Sequence, residues 1–136
     1  MDNFLKSNLY GKNWYQSKSW QELILVAAAV KINLFAQLKE KPLAAEQLAK
    51  ATNCNLRAVQ YLLTALVAAD YLMEKNGSYS LTPLAKKYLS DPQAKDYLGW
   101  FFLHNFRLIQ RWLTLPDVLK TGSPEAGDRF TESVEG

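Results

Sequence analysis

The chain has 136 residues, enough for one domain with a modest core, and its 49% hydrophobic, 21% charged and 12% aromatic composition excludes a disordered chain. Net charge is only +3, and the Lys and Arg residues are scattered, with Lys39, Lys41, Lys50, Lys86, Lys87 and Lys95 the densest set. A dedicated nucleic-acid binder carries a clustered basic face, so none is expected here. Cys54 and His104 are the only residues of their types, so neither an internal disulfide nor a Cys/His metal cluster is expected.

In chain order, residues 1–19 read as an N-terminal arm. They have no apolar core and no cleavage-like pattern, so they are not a signal peptide. Trp20 to Leu38 is the first long apolar segment. Its aliphatic run, Leu23 to Val30, is far shorter than the ~20 apolar residues a bilayer span needs, so no membrane partner is expected and the protein should be soluble and cytoplasmic. A helix that is apolar on all sides must be buried on all sides. It is the central helix of one core or a dimer helix. The dimer reading is preferred, with Leu23, Ile24, Ala27, Ala28 and Val30 at the interface and the alanines permitting close approach.

Residues 43–89 carry a winged helix. Ala44 to Ala51 makes a short helix with Leu48 and Ala49 inward. Thr52, Asn53 and Asn55 are turn and cap types, and Asn55 should cap the second helix. There Leu56, Val59, Leu62, Leu63, Leu66 and Val67 recur at three- and four-residue steps, one apolar stripe. Cys54, at the turn, reads as a small packing residue. Tyr71, Leu72 and Met73 begin a strand, Asn76-Gly77 signals a two-residue hairpin, and Tyr79 and Leu81 lie on the return strand. Thr82-Pro83 caps and opens the next helix. Strand content should be confined to this wing, so the fold class is mainly α.

Tyr97 to Leu115 is the second apolar segment. Tyr97, Trp100, Phe101, His104, Leu108, Trp112 and Leu115 lie on one helical stripe, and Leu98, Phe102, Ile109 and Leu113 on another. So many aromatics demand cover from a second subunit, a second domain or an apolar ligand. His104 is a hydrogen-bonded packing residue or a pocket-lining one. No Ser/His/Asp or Cys/His set surrounds it, so no catalytic residue is assigned. The tail from Pro116, with its glycines, prolines and acids, reads as a linker or domain edge, natural for a chain cut before a second domain.

The order of these parts resembles the N-terminal dimerisation domain of S-adenosylmethionine-dependent small-molecule O-methyltransferases, the hydroxyneurosporene and caffeate types. The resembling stretches are ILVAAAVKINLFAQL, PLAAEQLAKATNCNLRAVQYLLTALVAADYLMEKNGSYSLTPLAKKYL and RWLTLPDVLKTGSP, about residues 20 to 124. Ala44 departs from the Ser or Thr expected as a cap there. The resemblance implies a winged-helix dimerisation domain over 20–92, with flanking dimerisation helices. It implies an aromatic helix over 93–120 packing on a partner or catalytic domain, and a link into that domain over 121–136. It further implies a homodimer and a small aromatic or polyketide-like acceptor lined by Trp100, Phe101, His104, Phe106 and Trp112. S-adenosylmethionine is implied for the parent enzyme and not for this segment, since no G-x-G motif occurs and Gly122 and Gly127 follow no strand. A histidine of the later domain usually serves as base in that family, and His104 lies before it.

Two other functions remain in view. A winged-helix transcription regulator would present Arg57, Gln60, Tyr61 and Thr64 to DNA, but Ala58, Ala65, Ala68 and Ala69 fill most of that face, and phosphate contacts need several cations. A docking module without an acceptor pocket is the other.

Overall fold

A computed structural model describes residues 19–123. The elements are α1 (Ser19–Lys31), α2 (Leu34–Gln37), β1 (Leu43–Ala44), α3 (Ala45–Thr52), α4 (Leu56–Ala68), β2 (Leu72–Lys75), β3 (Ser78–Leu81), α5 (Pro83–Leu89), α6 (Gly99–Trp112) and α7 (Leu115–Thr121). The expected fold class holds: a mainly helical chain with a winged helix at its centre.

The winged helix forms where local chemistry asks for it. Asn55 Oδ1 accepts the Ala58 N–H at 3.0 Å and starts α4. Val59, Leu63 and Leu66 are then buried, while Leu56, expected inside, is 38% exposed at the first turn. Thr82 caps α5 by accepting the Ala85 N–H, with Pro83 following at a position that needs no donor. Asn76 and Gly77 both take positive φ, 52° and 78°, as the tight hairpin between β2 and β3 requires.

One strand was not expected. Leu43 and Ala44 form β1, which pairs antiparallel with β3 at Leu43–Tyr79 and Ala44–Ser78, giving the sheet order β1-β3-β2. Strands are therefore not confined to the hairpin, and α3 starts at Ala45, after the strand. Two residues show no periodicity by themselves; the strand exists because β3 offers a free edge. Ala44 has no side-chain oxygen for a cap, but Gln47 Oε1 accepts the Ala44 N–H at 2.8 Å and ties off the same helix start.

The first apolar segment is not one helix. Asn33 adopts the left-handed conformation (φ 63°) and separates α1 from α2. The short α2 places Leu34 and Phe35 in the core with Leu48, Leu63 and Leu66, and Leu38 follows just beyond it. Tyr71 packs its ring 6.4 Å from Phe35 and donates its hydroxyl to Glu22 Oε1 at 2.7 Å. This bond anchors the first turn of α1. Burial, then the bond and charge of Glu22, push the Tyr71 phenol up to about 12.

The second apolar helix, α6, covers much of the first, α1, and leaves its own outward side exposed. The packing of α6 along α1 is the most extensive inter-element packing of the fold. Val26, Ala27 and Ala29 are fully buried by it and by α2 and α4, whereas Ala28 is exposed. Ala27, expected at a dimer interface, thus has no surface left for a second copy: a helix flush against its small side chain closes it inside the chain. Leu23, Ile24 and Val30 are half-buried.

Candidate functional site

Four of the five expected acceptor-side residues meet on α6, on the side turned away from α1. The local sequence Asp-Tyr-Leu-Gly sets the start of that helix. Leu98 donates its N–H to Tyr88 O at 2.7 Å, joining the end of α5 to the beginning of α6. Gly99 is buried because the Tyr97 ring folds back across it, into the space a Cβ would fill. The ring then meets Trp100 edge-on, centroids 5.6 Å apart at 79°. This burial also raises the Tyr97 phenol above its ordinary pKa. Gly99 is therefore the residue that lets Tyr97 hold the Trp100 indole.

From Trp100 the helix advances about 100° per residue. Phe101, His104 and Trp112 stay on the outward side with it, and all four are exposed: Trp100 63%, Phe101 55%, Trp112 69%, with His104 also open. Phe106 points elsewhere. Six residues on from Trp100, it lies two-thirds of a turn round, half-buried toward α1, and Lys31 Nζ sits 5.4 Å from its ring. The structure therefore gathers Trp100, Phe101, His104 and Trp112, and sets Phe106 behind them. Phe102, edge-on to Phe101 at 5.4 Å, fills the inward side against the core.

At the C-terminal end of this surface the sequence singled out Trp112 alone as a site residue. Thr114 ends α6, with its hydroxyl turned back to Arg111 O at 2.7 Å. Helix α7 then turns off, so that Leu108, Arg111, Trp112, Leu115 and Val118 line a shallow open groove. Leu113 and Leu119 stand 75% exposed beside it. The aliphatic spacing Leu115-Val118-Leu119 was the available signal.

A nucleotide-like cofactor needs a glycine-rich turn between a strand and a helix. Of the described glycines, Gly77 makes the hairpin turn, Gly99 lies under Tyr97, and Gly122 (φ 66°) ends α7. These residues do not fit such a group. On α4, Arg57 lies over Tyr61, 5.9 Å from its ring. Cys54 is half-buried and donates its thiol to Thr52 O at 3.4 Å, a packing position at the helix turn. No described helix is long and apolar enough to cross a membrane.

Comparison with known proteins shows the family of the chain. The family model described as the O-methyltransferase dimerisation domain matches residues 24–91. The S-adenosyl-L-methionine-dependent methyl transferase PigF of Serratia sp. is 32% identical over 91 residues, which are 67% of this chain and 24% of that protein. The structure of PigF with SAH matches with a TM-score of 0.68 and 26% identity, over 82% of this chain and 33% of that one. An O-methyltransferase family 2 protein from Planctomyces limnophilus, in complex with apigenin, matches at TM-score 0.57 and 29% identity, over 65% and 28% of the two chains. Human N-acetylserotonin methyltransferase in complex with SAM shares the fold, at TM-score 0.65 and 19% identity, over 90% and 36%. The chain spans about a quarter to a third of the length of these relatives.

Proposed function

With 68 of its 136 residues, 24–91, matched by the family model, this chain belongs to the O-methyltransferase dimerisation-domain family, and from that premise we propose that it pairs with a second copy of itself and lines one side of an acceptor pocket. The parent protein in this reading is a cytoplasmic methyltransferase. A further domain binds S-adenosylmethionine and passes its methyl group to an oxygen of a small aromatic or polyketide-like acceptor, which gives up its proton. This chain supplies no catalytic residue. Its rings exclude water and hold the acceptor oxygen in line with the donor methyl. The observation that carries the reading is the outward face of α6 and α7, where Trp100, Phe101, Trp112, Leu113 and Leu119 are all more than half exposed. Monomeric surfaces rarely leave so much contiguous apolar area open.

The acceptor face on α6 and the pairing face on α1 are separate surfaces. Trp100, Phe101, His104 and Trp112 face the acceptor, and Phe106 supports them from the α1 side. Exposed Ala28, with half-buried Leu23, Ile24 and Val30, lies against the second copy, and Ala27 packs within the chain. Sedimentation equilibrium of wild type and Ala28→Arg tests the pairing. The variant should dissociate at a concentration at least tenfold higher, with an unchanged circular dichroism spectrum. Identical dissociation constants would remove α1 from the interface. DNA titration at low salt tests the regulator reading. Binding that falls steeply with salt and is lost in Arg57→Ala would favour a transcription regulator instead.

A further inference from the structure

Charge on the outward face of α6 says what kind of acceptor it suits. We propose that this face takes a flat aromatic compound bearing a carboxylate apart from the oxygen to be methylated, with Arg107 as the group that recognises the charge. The inference rests on the acceptor-face reading above and adds the acceptor's charge to it.

Trp100, His104, Arg107 and Arg111 follow one another at steps of four, three and four residues, so they form a single stripe along the helix. Phe101, Leu108 and Trp112 make the stripe beside it, and all seven residues are exposed. A ring laid on the apolar stripe has the Arg107 guanidinium at its edge. Lys31 adds an ammonium on the α1 side, over Phe106.

The helix itself supplies Arg107 with no acid. Tyr97 to Pro116 contains neither Asp nor Glu, although the whole chain carries 13 acids. A solvated helix face ordinarily interleaves both signs at i, i+4. Asp96 and Asp117 stand only at the two ends of the stretch. Among the described residues, Arg107 makes no ion pair. The planar fork of Arg107 matches a carboxylate in two parallel hydrogen bonds, and its plane lies well beside an aromatic ring. Enclosure of the face by the rest of the enzyme lowers the local dielectric and strengthens that pairing.

The test is titration of the 136-residue chain, ¹⁵N-labelled, with naphthoate and with its uncharged amide, followed by the indole N–H resonances of Trp100 and Trp112. At low salt naphthoate should shift both resonances and bind about fivefold more tightly than the amide, the scale of a part-exposed ion pair. High salt or Arg107→Gln should abolish the difference; Arg107 is exposed, so the variant keeps the fold. Equal binding of the two ligands would leave the aromatic acceptor face standing and overturn its preference for anions. An advantage of naphthoate that survives Arg107→Gln would overturn the role of Arg107. If neither ligand moves Trp100, the acceptor face itself is refuted and the anionic preference falls with it.

Discussion

Removing one oxygen from Tyr71 tests how α1 is held to the winged helix. In Tyr71→Phe the ring keeps its place 6.4 Å from Phe35, but the 2.7 Å bond to Glu22 is lost. A hydrogen bond to a charged group contributes about 1.5–3 kcal/mol when well shielded. Glu22 is exposed and regains water, so about 1 kcal/mol is the expected loss at pH 7. For a domain of this size that is a drop of roughly 3–5 °C in melting temperature. The pH dependence gives a second, independent signature. The folded-state phenol is raised from about 10 to about 12, mainly by burial and then by Glu22. A raised folded pKa means that its contribution is fully present below pH 10 and is lost as pH climbs from 10 through 12. Two units correspond to at most about 2.7 kcal/mol at ~1.36 kcal/mol each, discounted here to about 2 because Glu22 faces solvent. Wild type should therefore melt above Tyr71→Phe at pH 7, and the gap should close, then reverse, between pH 10 and 12. Melting both proteins by far-ultraviolet circular dichroism across that range is sufficient. Equal melting at pH 7, or a gap unchanged at pH 12, would refute the Tyr71–Glu22 anchor.

Leu63 is fully buried at the centre of α4, and Leu63→Ala should cost about 2–5 kcal/mol in urea denaturation by leaving a cavity. A loss below 1 kcal/mol would mean that the core is not closed there. In Gly99→Ala the new Cβ takes the space of the Tyr97 ring, so the aromatic circular dichroism of the Tyr97–Trp100 pair should collapse while helix content stays. An unchanged near-ultraviolet spectrum would contradict the account of Gly99.

Local chemistry was legible wherever a residue acts on its own backbone. Asn55, Thr82-Pro83 and Asn76-Gly77 mark helix starts and a turn by what their side chains and φ angles permit, and each does so in the fold. Leu48, Ala49, Val59, Leu63 and Leu66 face the core because helical spacing puts them there. What depends on distant partners was not legible. Strand β1 exists only because β3 has an edge to offer. The break at Asn33 turns on one residue's tolerance of positive φ. The burial of Ala27 follows from α6 returning across α1, about 70 residues later in the chain, and periodicity carries no such information. The same limit applied to the aromatic helix: the spacing of Trp100 and Phe106 separates the two rings, but only the packing of α6 on α1 decides that Trp100 faces outward and Phe106 faces α1.

The central claim is that this chain pairs with a copy of itself, and its mass in solution tests that most directly. Light scattering on the eluting peak of a sizing column, at tens of micromolar, should give twice the 15.5 kDa of one chain. A single species at 15.5 kDa would contradict the pairing.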